Sequence, residues 1–299
     1  MNKKPKIVIA GGTGFIGNYL AEKYKKLQYD VFIISRQPGQ IQWHEHDRLV
    51  NALNDAEMLI NLAGKSVNCR YNKKNKKAIM NSRTETTKLL GELIAKCEFA
   101  PKLWINSSTA TIYRHADDRP MTEEDGEIGS GFSVEVAKAW EKTFFESAVP
   151  HSRQVALRIA IVLGSGGGVI TPYKNLVKFR LGGHQGKGNQ QFSWIHIEDL
   201  FRIIEFIRGR EDLDGVFNCA SPSPVKNIEQ MKIMRNAYGI GFGLPAMKWM
   251  LEIGSVFLRT ESELVLKSRW VIPKRLQDEG FTFKFPTLEE AMCEIVKSG

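Results

Sequence analysis

The seven residues from 11 to 17 carry the clearest chemical signal in the chain. They read Gly11-Gly12-Thr13-Gly14-Phe15-Ile16-Gly17, with an apolar run before them and apolar positions at helical spacing after them. Glycines three residues apart permit a tight strand-to-helix turn, close approach of a pyrophosphate to the backbone, and close packing of the helix on a sheet. The helix N-terminus adds unpaired N–H groups and a partial positive charge. In this context the motif predicts a dinucleotide site, with a purely structural turn as the alternative.

Two further apolar runs end in residues suited to the same ligand. Ser35 and Arg36 stand where enzymes that use NAD usually place Asp or Glu against the ribose 2′-hydroxyl. A carboxylate there would repel a 2′-phosphate, whereas Arg36 neutralises one, so NADP(H) is favoured over NAD. An ordinary surface cation at a strand end is the alternative for Arg36. The stretch Asn61-Leu62-Ala63-Gly64 closes the next run, where small residues would let the cofactor lie against the backbone.

These motifs need a sheet whose strands end at them, and the spacing of apolar residues predicts one. Short apolar runs typical of buried parallel strands occur at 6–11, 31–34, 57–62, 103–106, 155–163 and 215–219. Helical spacing covers 15–27, 76–97, 133–148 and 197–208. This alternation predicts an α/β fold, a Rossmann doubly wound parallel sheet with a smaller C-terminal substrate-binding region. We place the NADP-binding domain at 1–164, its sheet completed by later strands near 192–220, and the substrate-binding region mainly at 165–299.

Composition and charge give little support to other classes of protein. With 299 residues, of which 42% are hydrophobic, the chain can bury a large core. It has no run of roughly 18 apolar residues, so we expect no membrane span and a cytoplasmic protein. The formal net charge of +9 at pH 7 comes without a nucleic-acid-binding motif, so we expect no nucleic-acid partner. The four cysteines lie far apart and form no CxxC pair, so we expect no metal site.

The stretches at 11–17, 61–64 and 107–113 together resemble the extended short-chain dehydrogenase/reductases. Further stretches are similar to one branch of that group, the epimerase family proteins: Asn61–Val67, Ser82-Arg83, Leu163–Gly168, Phe192–Asp199, Pro273–Leu276 and Phe285–Ala291. They run nearly end to end in the same order. The resemblance implies a Rossmann domain, NADP(H) binding and a family-specific C-terminal domain within 165–299. We add two arginines to the candidate cofactor contacts: Arg83, which lies in one of these stretches, and Arg158.

The groups that such enzymes use for proton transfer are only partly present. Enzymes of this kind orient a substrate oxygen with Ser or Thr and move its proton with the Tyr of a Tyr-x-x-x-Lys pair. Counting back from Tyr113, the hydroxyl position falls on Thr109, with Ser108 beside it. The Tyr and Lys positions fall on Ser133 and Ala137, so the usual relay is missing. We take Thr109, Ser108 and Tyr113 as candidate catalytic residues; turn chemistry is the alternative for the first two, and a packed aromatic ring for Tyr113.

A second departure concerns the substrate. Where the resemblance implies an Arg that grips the pyrophosphate of a nucleotide sugar, this chain carries Phe192, so a nucleotide sugar is not expected. The sequence therefore predicts an NADP(H)-binding, epimerase- or oxidoreductase-like protein acting on an unknown small carbonyl or hydroxyl substrate, as a monomer or a homodimer. Loss of both Tyr and Lys keeps a second hypothesis open: a non-catalytic NADP(H)-binding sensor or assembly protein.

Overall fold

The centre of the protein is a sheet of six parallel strands. A computed structural model describes residues 4–246 and 267–299. The strands of the sheet are β1 (Lys6–Ala10), β2 (Asp30–Ile34), β3 (Met58–Asn61), β4 (Leu103–Thr109), β5 (Arg153–Ile159) and β9 (Gly215–Cys219). Their order is β2-β1-β3-β4-β5-β9. The chain leaves β1 towards β2 and returns on its other side with β3, so the carboxyl ends of these strands form the crevice where doubly wound sheets bind ligands. The predicted fold class is confirmed.

Helices cover both faces of this sheet. The helices of the described residues are, in chain order, α1 (Phe15–Lys26), α2 (His46–Leu53), α3 (Lys73–Ile94), α4 (Phe132–Phe145), α5 (Ile170–Lys178), α6 (Ile197–Arg208), α7 (Asn227–Ala237), α8 (Lys274–Asp278) and α9 (Leu288–Ser298). One apolar cluster joins α1 and α6 to the sheet, and a second joins α2, α3 and α4 to the opposite face. Within residues 4–246 and 267–299, no helix is both long enough and apolar enough to cross a membrane.

The strands are apolar throughout because both of their faces are covered. In β1 the side chains of Ile7 and Ile9 belong to the α1 side of the sheet, whereas Val8 and Ala10 belong to the α3 side. All four are fully buried. Successive side chains of a strand point to opposite faces, so a strand between two helical layers needs a continuous apolar run.

A smaller layer of secondary structure follows the sheet. Strand β6 (Ile161–Leu163) pairs in parallel with β8 (Trp194–His196), and β7 (Gln191–Phe192) pairs antiparallel with β10 (Val225–Lys226). These strands share an apolar cluster with α5, α7 and α9. The buried carboxylate of Asp199 accepts the backbone N–H groups of Lys284 (2.7 Å) and Phe285 (2.8 Å), which holds the segment before α9 against α6.

The structure differs from the sequence-based prediction in three places. The apolar run 155–163 is two strands, because the chain leaves the sheet at Ala160 and β6 pairs with β8 instead. Of the later strands expected near 192–220, β9 joins the central sheet, while β7 and β8 do not. Helices α2 and α5 were not predicted, since each is too short to show a clear helical period. The division of the chain at residue 164 stays a prediction.

Candidate functional site

The turn between β1 and α1 has the geometry of a phosphate-binding loop. Gly11 has φ +77°, and a Cβ atom on it would lie 2.8 Å from the carbonyl carbon of Leu62. A Cβ atom on Gly17 would lie 2.6 Å from the Cα atom of Gly12. Both positions therefore require glycine. Gly14 is the N-cap of α1 and offers no side-chain cap, so the first N–H groups of the helix remain available to an anionic ligand.

A cavity of about 580 Å³ opens in front of this turn. Its walls come from the turn, the loop after β3, α3, the end of β4, one face of α4, and β6 with the residues 168–169. The predicted site residues that line it are Gly11, Gly14, Phe15, Ile16, Gly17, Leu62, Gly64, Arg83, Ser108 and Thr109. Gly12, Thr13 and Ala63 belong to the same loops but lie outside the lining. The structure thus brings the glycine turn and two candidate catalytic hydroxyls to one cavity.

Ser35 and Arg36 lie at the end of β2, beside the glycine turn and outside the cavity lining. Ser35 is buried, and its Oγ accepts the backbone N–H of Gln37, which fixes the chain after the strand. Arg36 is exposed and makes no hydrogen bond or ion pair in the described part of the chain. Because β2 is hydrogen-bonded to β1, the charge of Arg36 is available to an anionic group next to the turn.

The side chain of Asn61 lies behind the cavity wall. Its Nδ2 donates to Oγ1 of Thr87 (3.0 Å) and to Oδ1 of Asn106 (2.7 Å), and its Oδ1 accepts the backbone N–H of Ala63 (3.1 Å). Asn61 is fully buried. These bonds use both N–H donors and one of the two lone pairs of Oδ1, and Asn61 does not line the cavity, so its side chain holds the loop up to Gly64.

The hydroxyl groups at the end of β4 differ in what they can offer. The Oγ of Ser108 donates to Oε1 of Glu141 at 2.6 Å, so towards a ligand it can only accept. The Oγ1 of Thr109 accepts the backbone N–H of Thr111 at 3.1 Å, which leaves its own proton free to be donated. Thr109 is therefore the better donor to a substrate oxygen.

Arg158 and Tyr113 belong to a buried network and do not line the cavity. Arg158 forms a two-bond ion pair with Glu141, through Nε (2.9 Å) and Nη2 (2.8 Å). Its Nη1 donates to the Tyr113 phenol (2.8 Å), which in turn donates to Oδ1 of Asn218 (2.9 Å). Burial raises the pKa of Tyr113, although Arg158 lowers it in part. The predicted cofactor contact and the predicted acid are both engaged inside the protein.

Helix α4 supplies a wall of the cavity in which two positions carry small residues. Ser133 and Ala137, one helical turn apart, both line the cavity where the resemblance implies Tyr and Lys. The Oγ of Ser133 is buried and has no hydrogen-bond partner within the residues described. Trp140 follows on the same face, and its Nε1 donates to Oγ1 of Thr87 (3.0 Å). Sequence reasoning missed Trp140, although its spacing of three from Ala137 indicates a shared helix face.

Known proteins match this chain over nearly its whole length. The model of the family "NAD dependent epimerase/dehydratase family" matches residues 7–220, and a domain of unknown function, DUF1731, matches residues 248–295. The human epimerase family protein SDR39U1 is 31% identical over 298 residues, 97% of this chain and 99% of that protein. The epimerase family protein YfhF of Bacillus subtilis is 30% identical over 302 residues, 97% of each chain.

Solved structures share the fold. A crystal structure of human SDR39U1 (isoform 2) with NADPH has a TM-score of 0.88 and 30% identity, and covers 98% of this chain and 99% of that one. UDP-N-acetylglucosamine 4-epimerase from Bacillus cereus has a TM-score of 0.78 at 18% identity, which shows the fold alone. The resemblance to epimerase family proteins is confirmed. With a family model matched over residues 7–220 and relatives aligned almost end to end, the chain belongs to the NAD dependent epimerase/dehydratase family.

Proposed function

We propose that the protein binds NADP(H) in the cavity between the glycine turn and α4, and that it acts there on a small carbonyl or hydroxyl substrate as an epimerase- or oxidoreductase-like enzyme. The observation that carries the proposal is that one cavity runs from the glycine turn to the hydroxyl of Thr109. The turn fits a pyrophosphate, and Arg36 beside it suits a 2′-phosphate. The human relative crystallised with NADPH supports the same cofactor.

The chemistry expected of this site is simple. When bound, NADPH would supply a hydride to a carbonyl, and NADP⁺ would accept one from an alcohol. Thr109 donates a hydrogen bond to the substrate oxygen, because its proton is not used inside the protein. The phenol of Tyr113 faces Arg158 and Asn218 and has a raised pKa, so we assign the proton to a water molecule and not to Tyr113.

The walls of the cavity favour a substrate with an apolar body. Phe132, Val136 and Trp140 of α4 line it together with Val67. Phe192 lies instead in the smaller layer, buried and edge-on to the ring of Tyr173, so nothing at that position would bind a pyrophosphate. We therefore propose a small, non-nucleotide substrate, with no nucleic-acid partner, for a cytoplasmic monomer or homodimer.

One observation favours a second function. Ser133 and Ala137 line the cavity at the α4 positions where related enzymes carry the Tyr and Lys that move protons, so α4 supplies neither a phenol nor an ammonium there. A protein that binds NADP(H) and signals its redox state, or assembles with a partner, needs neither group. The second candidate is such a non-catalytic sensor or assembly protein.

Cofactor titration tests the shared part of both functions. Purified protein is titrated with NADPH and with NADH, following nicotinamide fluorescence and the melting temperature. We expect NADPH-selective binding, and a loss of about tenfold or more in NADPH affinity in Arg36→Asp, since a charge-assisted contact is replaced by a repulsive one. Failure of both nucleotides to bind at micromolar levels would refute NADP(H) binding.

A carbonyl screen then separates the enzyme from the sensor. NADPH oxidation is followed with aliphatic and aromatic aldehydes and ketones, with Thr109→Ala as the matched control. Turnover that is lost in Thr109→Ala, with unchanged NADPH affinity, supports the enzyme. Tight NADPH binding without turnover of any carbonyl, or of alcohols with NADP, favours the sensor or assembly protein.

A further inference from the structure

A strongly basic stretch of the chain borders the cavity. Residues 63–84 contain neither Asp nor Glu, and their positively charged side chains are Lys65, Arg70, Lys73, Lys74, Lys76, Lys77 and Arg83. This stretch begins in the loop after β3 and continues into α3. Among the described residues that line the cavity, the charged ones are Lys65 and Arg83, and both are cations. The cavity lining therefore presents positive charge to a ligand.

Two lysines of this stretch lie next to the cavity with their charges unpaired. Lys65 lines the cavity and is half-buried. The Nζ of Lys76 lies 5.1 Å from the centre of the Phe132 ring, in a cation–π contact, and Phe132 lines the cavity as well. Within residues 4–246 and 267–299, neither Lys65 nor Lys76 forms an ion pair. Both charges are therefore available to an anionic group of a ligand.

The cavity wall formed by α4 has two different ends. At its first residue, Phe132, the ring is in contact with the Lys76 ammonium. Glu141, nine residues later and about 13 Å along the helix axis, accepts the Ser108 hydroxyl beside Thr109. The side chains by which α4 lines the cavity between these ends are small or apolar. A ligand that lies along α4 with its oxygen at Thr109 would have an apolar body and would reach the lysines with its other end.

These charges, taken with the function proposed above, describe the substrate more closely. The phosphates of NADP(H) are expected at the glycine turn and at Arg36, so Lys65 and Lys76 are available to a second anion. We infer that the substrate is an amphipathic anion, whose carbonyl or hydroxyl group lies at Thr109 and whose anionic end group is bound by Lys65 and Lys76. An ammonium group suits a carboxylate or a phosphate, because it is a compact charge with three donors.

Calorimetric titration of the NADPH complex tests the inference without turnover. Octanoate and octanamide have the same apolar chain, but only octanoate is charged. Wild-type protein should bind octanoate about tenfold more tightly, the effect of two partly exposed ionic contacts, and high salt should reduce this preference. Lys65→Met/Lys76→Met, which keeps two apolar stems, should bind octanoate no better than octanamide. Octyl phosphate, with the same chain, distinguishes the end groups: the tighter-binding anion names the end group of the substrate.

An activity measurement adds a second readout. 8-Oxooctanoate carries an aldehyde at one end and a carboxylate at the other, whereas octanal carries the aldehyde alone. With NADPH, 8-oxooctanoate should have a kcat/KM about tenfold higher than octanal, through a lower KM. The double variant should reduce the two aldehydes equally well.

The control is Lys138→Met, which removes an exposed positive charge from α4 outside the cavity lining. It should keep the preference for octanoate. NADPH affinity is measured for every variant and should stay at the wild-type value, which also shows that the variants are folded.

Three outcomes would overturn the inference: equal affinity of the wild-type complex for octanoate and octanamide, no binding of octanoate at millimolar concentration, or a preference that survives in the double variant. A loss of NADPH affinity as large as that of octanoate would overturn it as well, because the lysines would then bind the cofactor. A wild-type protein that does not bind NADPH is a different result, since it refutes the proposed function itself.

Discussion

Replacing Glu141 with Gln should lower the free energy of unfolding by about 3–5 kcal/mol, the usual cost of removing one partner of a buried ion pair. The side chains of Glu141 and Arg158 are each only 11% exposed. The carboxylate accepts two hydrogen bonds from Arg158 and one from Ser108, at 2.6–2.9 Å. Glutamine has one acceptor oxygen and no charge, so the Arg158 guanidinium would stay buried without compensation.

The double variant Glu141→Met/Arg158→Met isolates the charge effect. It removes both charges and keeps similar volumes, and apolar replacement of a whole buried pair is often nearly neutral. We expect it to be more stable than Glu141→Gln by about 2 kcal/mol, the coupling expected for residues in direct contact. The surface control is Glu146→Gln, whose partner Lys142 is 3.8 Å away and largely exposed; its cost should stay within about 0.5 kcal/mol.

Urea unfolding followed by tryptophan fluorescence measures these differences by linear extrapolation. The same samples, under native conditions, are titrated with NADPH. Since Arg158 does not line the cavity, Arg158→Met should bind NADPH with wild-type affinity wherever it is folded. The reasoning fails if Glu141→Gln costs less than about 1 kcal/mol, or if the double variant is less stable than Glu141→Gln. A tenfold loss of NADPH affinity in folded Arg158→Met would show that Arg158 contacts the cofactor after all.

Four shorter predictions follow from the turn and from the contacts of the C-terminal layer. Gly14→Ala should melt at the wild-type temperature, because the added Cβ would meet only a backbone oxygen, at 3.6 Å. It should lose NADPH binding, because the Cβ adds bulk where the phosphate approaches the turn. Wild-type NADPH affinity in this variant would show that no phosphate approaches Gly14. Gly17→Ala should instead lower the melting temperature, because its Cβ would lie 2.6 Å from the backbone of the turn. Burial lowers the pKa of His196 below 6.5 despite the charge of Glu294, so stability should be full above about pH 6.5 and fall as the pH drops below it. Urea midpoints from pH 5 to 8 check this, and an unchanged slope in His196→Gln would rule the histidine out. Asp199→Ala should cost about 2–3 kcal/mol, since its carboxylate accepts two backbone N–H groups; urea unfolding with a cost near zero would contradict this.

Local patterns in the sequence were sufficient for the sheet and for the glycine turn. Apolar runs such as that containing Ile7 and Ile9 are buried on both faces, which is what an uninterrupted run indicates. The turn requires glycine at Gly11 and Gly17 for steric reasons that involve only the neighbouring strand and the turn itself. Such features depend on residues close in sequence or on the regular geometry of a parallel sheet.

The hydrogen-bond partners of the polar side chains could not be predicted from the sequence. Asn61 and Arg158 were predicted to contact the cofactor, but each faces partners from other elements, Thr87 in one case and Glu141 in the other. A polar residue at the end of a strand can point to either face of the sheet, and the helix packed there decides which. The cation–π contact of Arg83 with Trp140 likewise needs the packing of α3 on α4.

One face of α4 lacks the Tyr and Lys that the resemblance implies, but it carries the glutamate that holds the helix in place. Ser133, Ala137 and Glu141 follow one another at intervals of four residues; the first two line the cavity, and the third anchors α4 to β4 and β5 through Ser108 and Arg158. Helix α4 is therefore held in place although it carries neither a Tyr nor a Lys at the two cavity positions, and the small side chains leave open the space that those residues would fill. The architecture thus retains a site for the dinucleotide, and the reaction proposed above depends on the hydroxyl of Thr109.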